Sequence, residues 1–267
     1  MKSKITLSIV LLLCMCHLSN AQGKLNRAKE DLSTKSSTSS SSSSSSSNNN
    51  DNDDDDDSID FLGNVFGEII YRMTIGILFG AMEERYFYKY PYSDGSHGEY
   101  AFPDENVPLK QVQLMVSNTF FTSGKEFYGN NLKLNLRFVL LGIEANHLHF
   151  FEKNPEVELG VSSVMINYYR VRGQNVTAYW GAGATHVGNG VDETGFAYQV
   201  GVDVYLNKPF SIGTSWKQSF INSASINEFR LLARYHLKRF SLQGGFNHYK
   251  LGSVSVNALS AGIDYRF

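Results

Sequence analysis

The last nine residues, Leu259-Ser260-Ala261-Gly262-Ile263-Asp264-Tyr265-Arg266-Phe267, place apolar side chains at the odd positions and small or charged ones at the even positions. A period of two is that of a β-strand, whose successive side chains point to opposite faces. The stretch therefore predicts a strand with one apolar and one polar face. The pattern recurs upstream. Phe196, Tyr198, Val200, Val202, Val204 and Leu206 alternate with Ala197, Gln199, Gly201, Asp203 and Tyr205. Phe210, Ile212, Thr214 and Trp216 alternate with Ser211, Gly213, Ser215 and Lys217. Phe229, Leu231, Ala233, Tyr235 and Leu237 alternate with Glu228, Arg230, Arg234 and His236.

Alternation alone also fits a soluble sandwich or a lipocalin-like barrel, where the apolar face turns inward. Three further features point to a membrane barrel. Residues 1–21 read as a secretory signal: Lys2 and Lys4 start it, Ile5 to Cys16 form a short apolar stretch, and Ser19-Asn20-Ala21 supply small residues before Gln22. The turns alternate between brief ones (Arg172-Gly173-Gln174, Asn207-Lys208-Pro209, Lys238-Arg239) and longer ones near Gly124 to Gly129, Gly188 to Gly195 and Asn222 to Ala224. Aromatics collect at both ends of the apolar faces, with Phe196, Phe220 and Phe229 near one rim and Phe210, Tyr235, Phe240, Tyr265 and Phe267 near the other. The ending Leu259-x-Ala261-x-Ile263-x-Tyr265-x-Phe267 resembles the C-terminal signal of Gram-negative bacterial outer-membrane β-barrel proteins. The resemblance spans Gln111 to Phe267 and identifies no subfamily. It implies an outer-membrane location, contact with outer-membrane lipid, and recognition of Ile263, Tyr265 and Phe267 by the outer-membrane assembly machinery.

The expected fold is thus an all-β membrane protein, an antiparallel up-and-down transmembrane β-barrel with an N-terminal amphipathic helix. Nine strands are plain, beginning near Gln111, Asn131, Val157, Val176, Gly195, Phe210, Ile226, Phe240 and Val254. Single-chain bacterial barrels have an even number. Leu132 to Phe151 is too long for one crossing of about ten residues, and its alternation slips after Phe138. A turn near Leu140-Leu141-Gly142 splits it and gives ten strands. Eight strands, or a tenth strand drawn from Glu68 to Phe79, are the alternatives.

Ahead of the barrel (111–267), residues 22–57 carry a serine run and an aspartate run with almost nothing to bury, which predicts a disordered linker. Over 58–79, Phe61, Leu62, Val65, Phe66, Ile69, Ile70, Met73 and Ile77 recur at helical spacing. The segment reads as an amphipathic helix whose stripe faces lipid, the barrel, or a periplasmic or membrane protein partner. Residues 80–110 read as an irregular connector. Cys14 and Cys16 are the only cysteines, and both lie in the signal. Leu13 and Met15 before them do not suit a lipoprotein signal. A net charge of −2, with no basic patch or recognition motif, gives no support for nucleic-acid binding.

With the apolar faces on lipid, alternation sends Lys133, Arg137, Tyr179, Asp203, Tyr205, Lys217, Glu228, Arg230, Arg234, Tyr249, Asp264 and Arg266 into the lumen. Charges of both signs beside tyrosines predict a packed polar core, and hence a structural or interaction role. The excess of basic residues leaves open a narrow solute channel with mild anion preference. A membrane-embedded lipid or peptide hydrolase would need a nucleophile, a base and an orienting carboxylate at one rim. His147, His149 with Glu152, His186 with Asp192, and Asp94 with His97 are the candidates, and none has the spacing of a known motif. No cofactor, metal site or catalytic residue is expected. Asn175-Val176-Thr177 reads as a turn entering a strand.

Overall fold

The computed structural model describes residues 23–35, 86–93, 98–101 and 109–267. The predicted signal (1–21) and the predicted helix over 58–79 lie outside the described residues, as do Asp94 and His97.

Ten antiparallel strands close into a barrel. They are β3 (Val112–Ser123), β4 (Phe127–Phe138), β5 (Leu141–Glu152), β6 (Val157–Arg172), β7 (Val176–Val187), β8 (Glu193–Tyr205), β9 (Phe210–Ile221), β10 (Ala224–Leu237), β11 (Phe240–Leu251) and β12 (Val254–Arg266). Each strand pairs with its sequence neighbours, and β12 returns to β3 with Leu259 opposite Thr122 and Arg266 opposite Met115. Closure matters because hydrocarbon offers no partner for an unpaired backbone group, so an open sheet edge cannot stand in it. The split of Leu132 to Phe151 falls at Val139-Leu140, where Val139 adopts φ 39°.

We call the end where β3 begins and β12 finishes the base, and the other end the top. The base turns are residues 139–140, 173–175, 206–209 and 238–239. The top turns are 124–126, 153–156, 188–192, 222–223 and 252–253. The expected asymmetry of short and long loops is therefore absent, because the turn residues near Gly129, Gly195 and Ala224 are absorbed into strands.

The strands run to 12–16 residues, more than the roughly 9–11 that cross a bilayer. The surplus is at the top, where the polarity of the wall inverts. From the base upward, β12 exposes Phe267, Tyr265, Ile263, Ala261 and Leu259, then Asn257 and Ser255, while Val256 and Val254 turn inward. On β5 the outward series passes from Leu141, Ile143 and Ala145 to His147 and His149, with Leu148 and Phe150 inside. The lower wall is thus built for lipid outside, and the top for water outside with an apolar core within.

Two short pieces occupy the ends. Helix α1 (Lys24–Ser33) lies in the segment predicted as disordered and buries Leu25, Ala28 and Leu32 along one face. Those three join Phe121, Phe127, Leu148, Phe150, Leu159, Val161, Ile221 and Leu251 in a single apolar cluster under the top turns. At the base, β1 (Tyr86–Phe87) pairs with β2 (Tyr100–Ala101) inside the region predicted as an irregular connector. Phe87 and Tyr100 there are fully buried.

The polarity inversion is testable on one strand. Leu231→Lys, in the apolar band of β10, is expected to cost about 2–4 kcal/mol, and Asn227→Lys, four residues nearer the top, about 0–1 kcal/mol. Denaturant titration of the protein folded in lipid vesicles measures both.

Candidate functional site: an occluded lumen

Of the twelve residues assigned to the lumen by alternation, Arg137, Tyr205, Lys217, Glu228, Arg230, Tyr249, Asp264 and Arg266 are buried, and Lys133, Tyr179, Asp203 and Arg234 are half-buried. Inward of the apolar top, Lys133 meets Glu144 at 3.3 Å and Lys217 meets Glu228 at 2.7 Å. Lys217 also donates to Ser163 Oγ at 2.9 Å. Arg234 reaches two carboxylates, Asp203 at 2.5 Å and Asp264 at 3.6 Å. Gly213 makes room for the first of these, since a Cβ there would meet the Asp203 carboxylate and the Arg234 guanidinium. Tyr179 lies tilted against Tyr169 with ring centroids 5.1 Å apart, and Tyr249 packs against Phe121 and Phe150. Desolvated charges of this kind are tolerated only when paired at close range.

Toward the base, the network passes to the β1–β2 plug. Glu99 accepts two hydrogen bonds from Arg137, one of them at 2.9 Å, and another from Tyr205 at 2.9 Å. Arg266 lies 3.8 Å away, and Gln113 also accepts from Arg137. The Arg137 guanidinium stands over Phe87 and Tyr169, 5.2 Å from each ring, in the geometry of a cation–π contact. Burial pushes the Glu99 carboxyl up, but Arg137, then Arg266 and the hydrogen bonds, outweigh burial and hold it down at about 2. Tyr92 closes the mouth on the other side. Its hydroxyl donates to the Leu206 and Phe210 carbonyls, and its ring meets Tyr205 and His236. The Gly98 N–H donates to the Gln174 carbonyl at 2.8 Å.

At the top, α1 is held by the turns it covers. It begins at Gly23 without a side-chain cap of its own. The cap comes from the barrel wall: Glu152, 1% exposed, accepts from the N–H groups of Lys24 (3.1 Å) and Leu25 (2.8 Å). A carboxylate at this end also complements the helix dipole. Asn222 donates to the Leu32 carbonyl at 2.8 Å, and Ser253 donates to Asp31 through both its hydroxyl and its N–H. Those two bonds, the hydroxyl's first, hold the Asp31 carboxyl below its usual range.

Between lid and plug, the lumen retains a cavity of about 30 Å³, beside Lys133, Arg230, Arg234 and Asp264. That is room for about two water molecules. Sequence reading did not single out Glu99, Glu144 or Tyr169, and it paired Glu152 with outer histidines instead of the lumen. Glu144 and Glu152 become legible once the turn at Val139-Leu140 sets the phase of β5. Glu99 carries no periodic signal, since it stands at a bend just before the two-residue strand β2.

The histidines raised as hydrolase candidates sit on the outer wall. His147 bonds Ser162 at 2.9 Å, His186 bonds Thr194 at 3.0 Å, and His149 lies 3.4 Å from Glu158. Glu152 faces the lumen, so it lies across the wall from His147 and His149. Asp192 is exposed in a top turn at φ 51°. The outer histidines belong to a collar of polar pairs between neighbouring strands, with Asn118–Asn130, Tyr198–Gln218 and His248–Asn257. Among the described residues, no group of three or more His, Cys, Asp or Glu side chains is placed to hold a metal ion.

No protein-family model matches the sequence, and no curated protein matches it. Solved structures of similar architecture include the Yersinia pestis outer-membrane protein Ail in a nanodisc, 18% identical over 58% of this chain and 99% of its own, TM-score 0.33. Neisserial surface protein A is 13% identical over 58% and 96%, TM-score 0.30. The N-terminal barrel domain of Pseudomonas aeruginosa OprF is 9% identical over 58% and 97%, TM-score 0.30. The described strands of this chain form a closed ten-stranded antiparallel β-barrel with an apolar band on its outer wall.

Two outcomes follow from the pairing. Glu228→Gln removes the carboxylate that pairs with buried Lys217 and is expected to cost about 3–5 kcal/mol, whereas replacing both residues with Met recovers most of that. Denaturant unfolding of the three variants in detergent measures it. Glu99 has its folded value below its unfolded one of about 4.3. Its contribution to plug docking is therefore full above pH 4.3 and falls away as the pH drops from about 4 toward 2. Protease sensitivity of residues 86–101 across that range is the readout, and Glu99→Gln is expected to lack the transition.

Proposed function

We propose that this protein is a closed barrel of the outer membrane, with a structural or interaction role and no conducting path. What carries the proposal is the threefold filling of its interior: an apolar lid on α1, a paired charge network, and a plug on Glu99. A solute channel needs a continuous aqueous route, and the cavity between lid and plug, about 30 Å³, is too small for a hydrated solute. The outward placement of His147, His149 and His186 likewise lends no support to a hydrolase. A part in docking, with a periplasmic or membrane protein as partner, is supported by the exposed top collar and by the helical spacing of apolar residues in the sequence of 58–79. Recognition of Ile263, Tyr265 and Phe267 by the assembly machinery belongs to the same proposal: all three point outward at the base, where an incoming barrel strand presents them.

Planar-bilayer recording of the purified, folded protein tests the closed state. No unit conductance is expected, and none is expected from a variant lacking residues 23–35, because the charge network and plug remain. Steady unitary currents from the intact protein would establish a channel instead.

A further inference from the structure

The two ends of the barrel differ in charge. The base turns carry Lys208, Lys238 and Arg239 and no acidic residue. The top turns carry Lys125 and Lys153 against Glu126, Glu156 and Asp192. Lys208 and Lys238 are exposed and Arg239 is half-buried, and among the described residues none of the three has an ion pair. The carboxylates of Glu99, Asp203 and Asp264 near this end turn inward to Arg137 and Arg234. The terminal carboxylate of Phe267 pairs with none of the three cations.

The three stand on one arc. β9 and β10 pair at Phe210–Tyr235, and β10 and β11 at Leu237–Phe240. The two basic turns are thus about two strand spacings apart, roughly 10 Å. Lys110, whose backbone pairs with Phe87, and Lys89 on the plug add positive charge at the same end.

Their height on the wall is fixed as well. Lys208 lies between Leu206 and Phe210, and Lys238-Arg239 between Leu237 and Phe240, four exposed apolar residues at the lower limit of the apolar band. Phe210 packs on Tyr235, and Phe240 on Tyr265, which also meets Phe267. Such rings mark the level where hydrocarbon gives way to headgroups. Cations one or two residues beyond them are level with the phosphates, where an anionic surface attracts them. That alignment with the apolar band favours a bilayer over a soluble acidic partner.

We infer that the base arc of Lys208, Lys238 and Arg239 binds the phosphate headgroups of anionic phospholipid in the leaflet around it. The inference rests on the reading of the chain as an outer-membrane barrel and adds the class of lipid that the barrel recruits.

The test refolds the full chain into nanodiscs of phosphatidylcholine mixed with phosphatidylglycerol, and native mass spectrometry counts the lipids that the barrel retains. Wild type is expected to hold phosphatidylglycerol above its share in the disc, and less of it at high salt. A triple variant, Lys208→Gln, Lys238→Asn and Arg239→Gln, is expected to lose about fivefold of that preference for each charge removed. Asn suits position 238, where φ is 57°. Lys125→Gln with Lys153→Gln, at the top, is expected to leave the preference unchanged. Equal preference in wild type and triple variant overturns the inference, as does an equal loss in the top variant. Displacement by inorganic phosphate would assign the arc to a free anion. A preference that emerges only when Asp53 to Asp57 are all changed to Asn would assign it to the chain's own acidic run, and either result also overturns the inference. A chain that fails to insert into the disc removes the barrel reading and this inference together, whereas an inserted chain without lipid preference removes this inference alone.

Discussion

The ladder between β12 and β3 is the constraint from which the rest of the molecule descends. In hydrocarbon, every N–H and C=O needs a partner within the protein, and eight residue pairs from Leu259–Thr122 to Arg266–Met115 supply them at the seam. Once that seam closes, side chains can go only inward or outward, and a shift of one residue would send each to the wrong face. Ten strands also set the width. Eight strands enclose about as much space as wall side chains can fill. The wider ring here takes long residues (Arg, Lys, Tyr, Phe) together with two inserted pieces, α1 and the β1–β2 plug.

The inserted pieces are docked by charge on wall residues. Glu152 caps α1 from the barrel, and Glu99 brings the plug to Arg137, Arg266 and Tyr205. Each insert therefore satisfies a group that its partner would otherwise leave buried and charged. Arg137 without Glu99 would keep Gln113 and two aromatic faces but no carboxylate. Lid and plug are thus parts of the barrel's own core rather than covers laid over a finished pore.

The alternation in Phe196–Leu206 and Leu259–Phe267 was legible because each side chain there has one environment, lipid or lumen, and the period is uninterrupted. The same logic exposed the slip after Phe138 and so the tenth strand. It was blind to α1, whose apolar face is only Leu25, Ala28 and Leu32, beside a long polar tract. Three apolar residues become a helix face only when Phe121, Leu148 and Leu159 stand opposite them. The plug was equally hidden, because two-residue strands carry no period and Glu99 owes its place to Arg137, distant in sequence. Loop length misled at Gly129 and Gly195, where glycine marks close packing within a strand: a Cβ at Gly129 would strike the Phe121 ring, and one at Gly195 the Phe220 carbonyl.

The polarity inversion joins these observations into one physical picture. At the level of His147, His186 and His248, the wall has polar side chains outside, bonded to Ser162, Thr194 and Asn257, and Leu148, Val187 and Leu251 inside. A lipid-bound wall would gain nothing from those outward histidines, and a water-filled lumen would gain nothing from those inward aliphatics. Both placements make sense if the top stands clear of the bilayer and has a core of its own, and a ring of strands acquires such a core only when something fills its centre. Leu25, Ala28 and Leu32 fill it. The surplus strand length, the polar collar and α1 are therefore consequences of one arrangement, in which the barrel leaves the membrane and continues as a small water-facing domain closed by its own N-terminal helix.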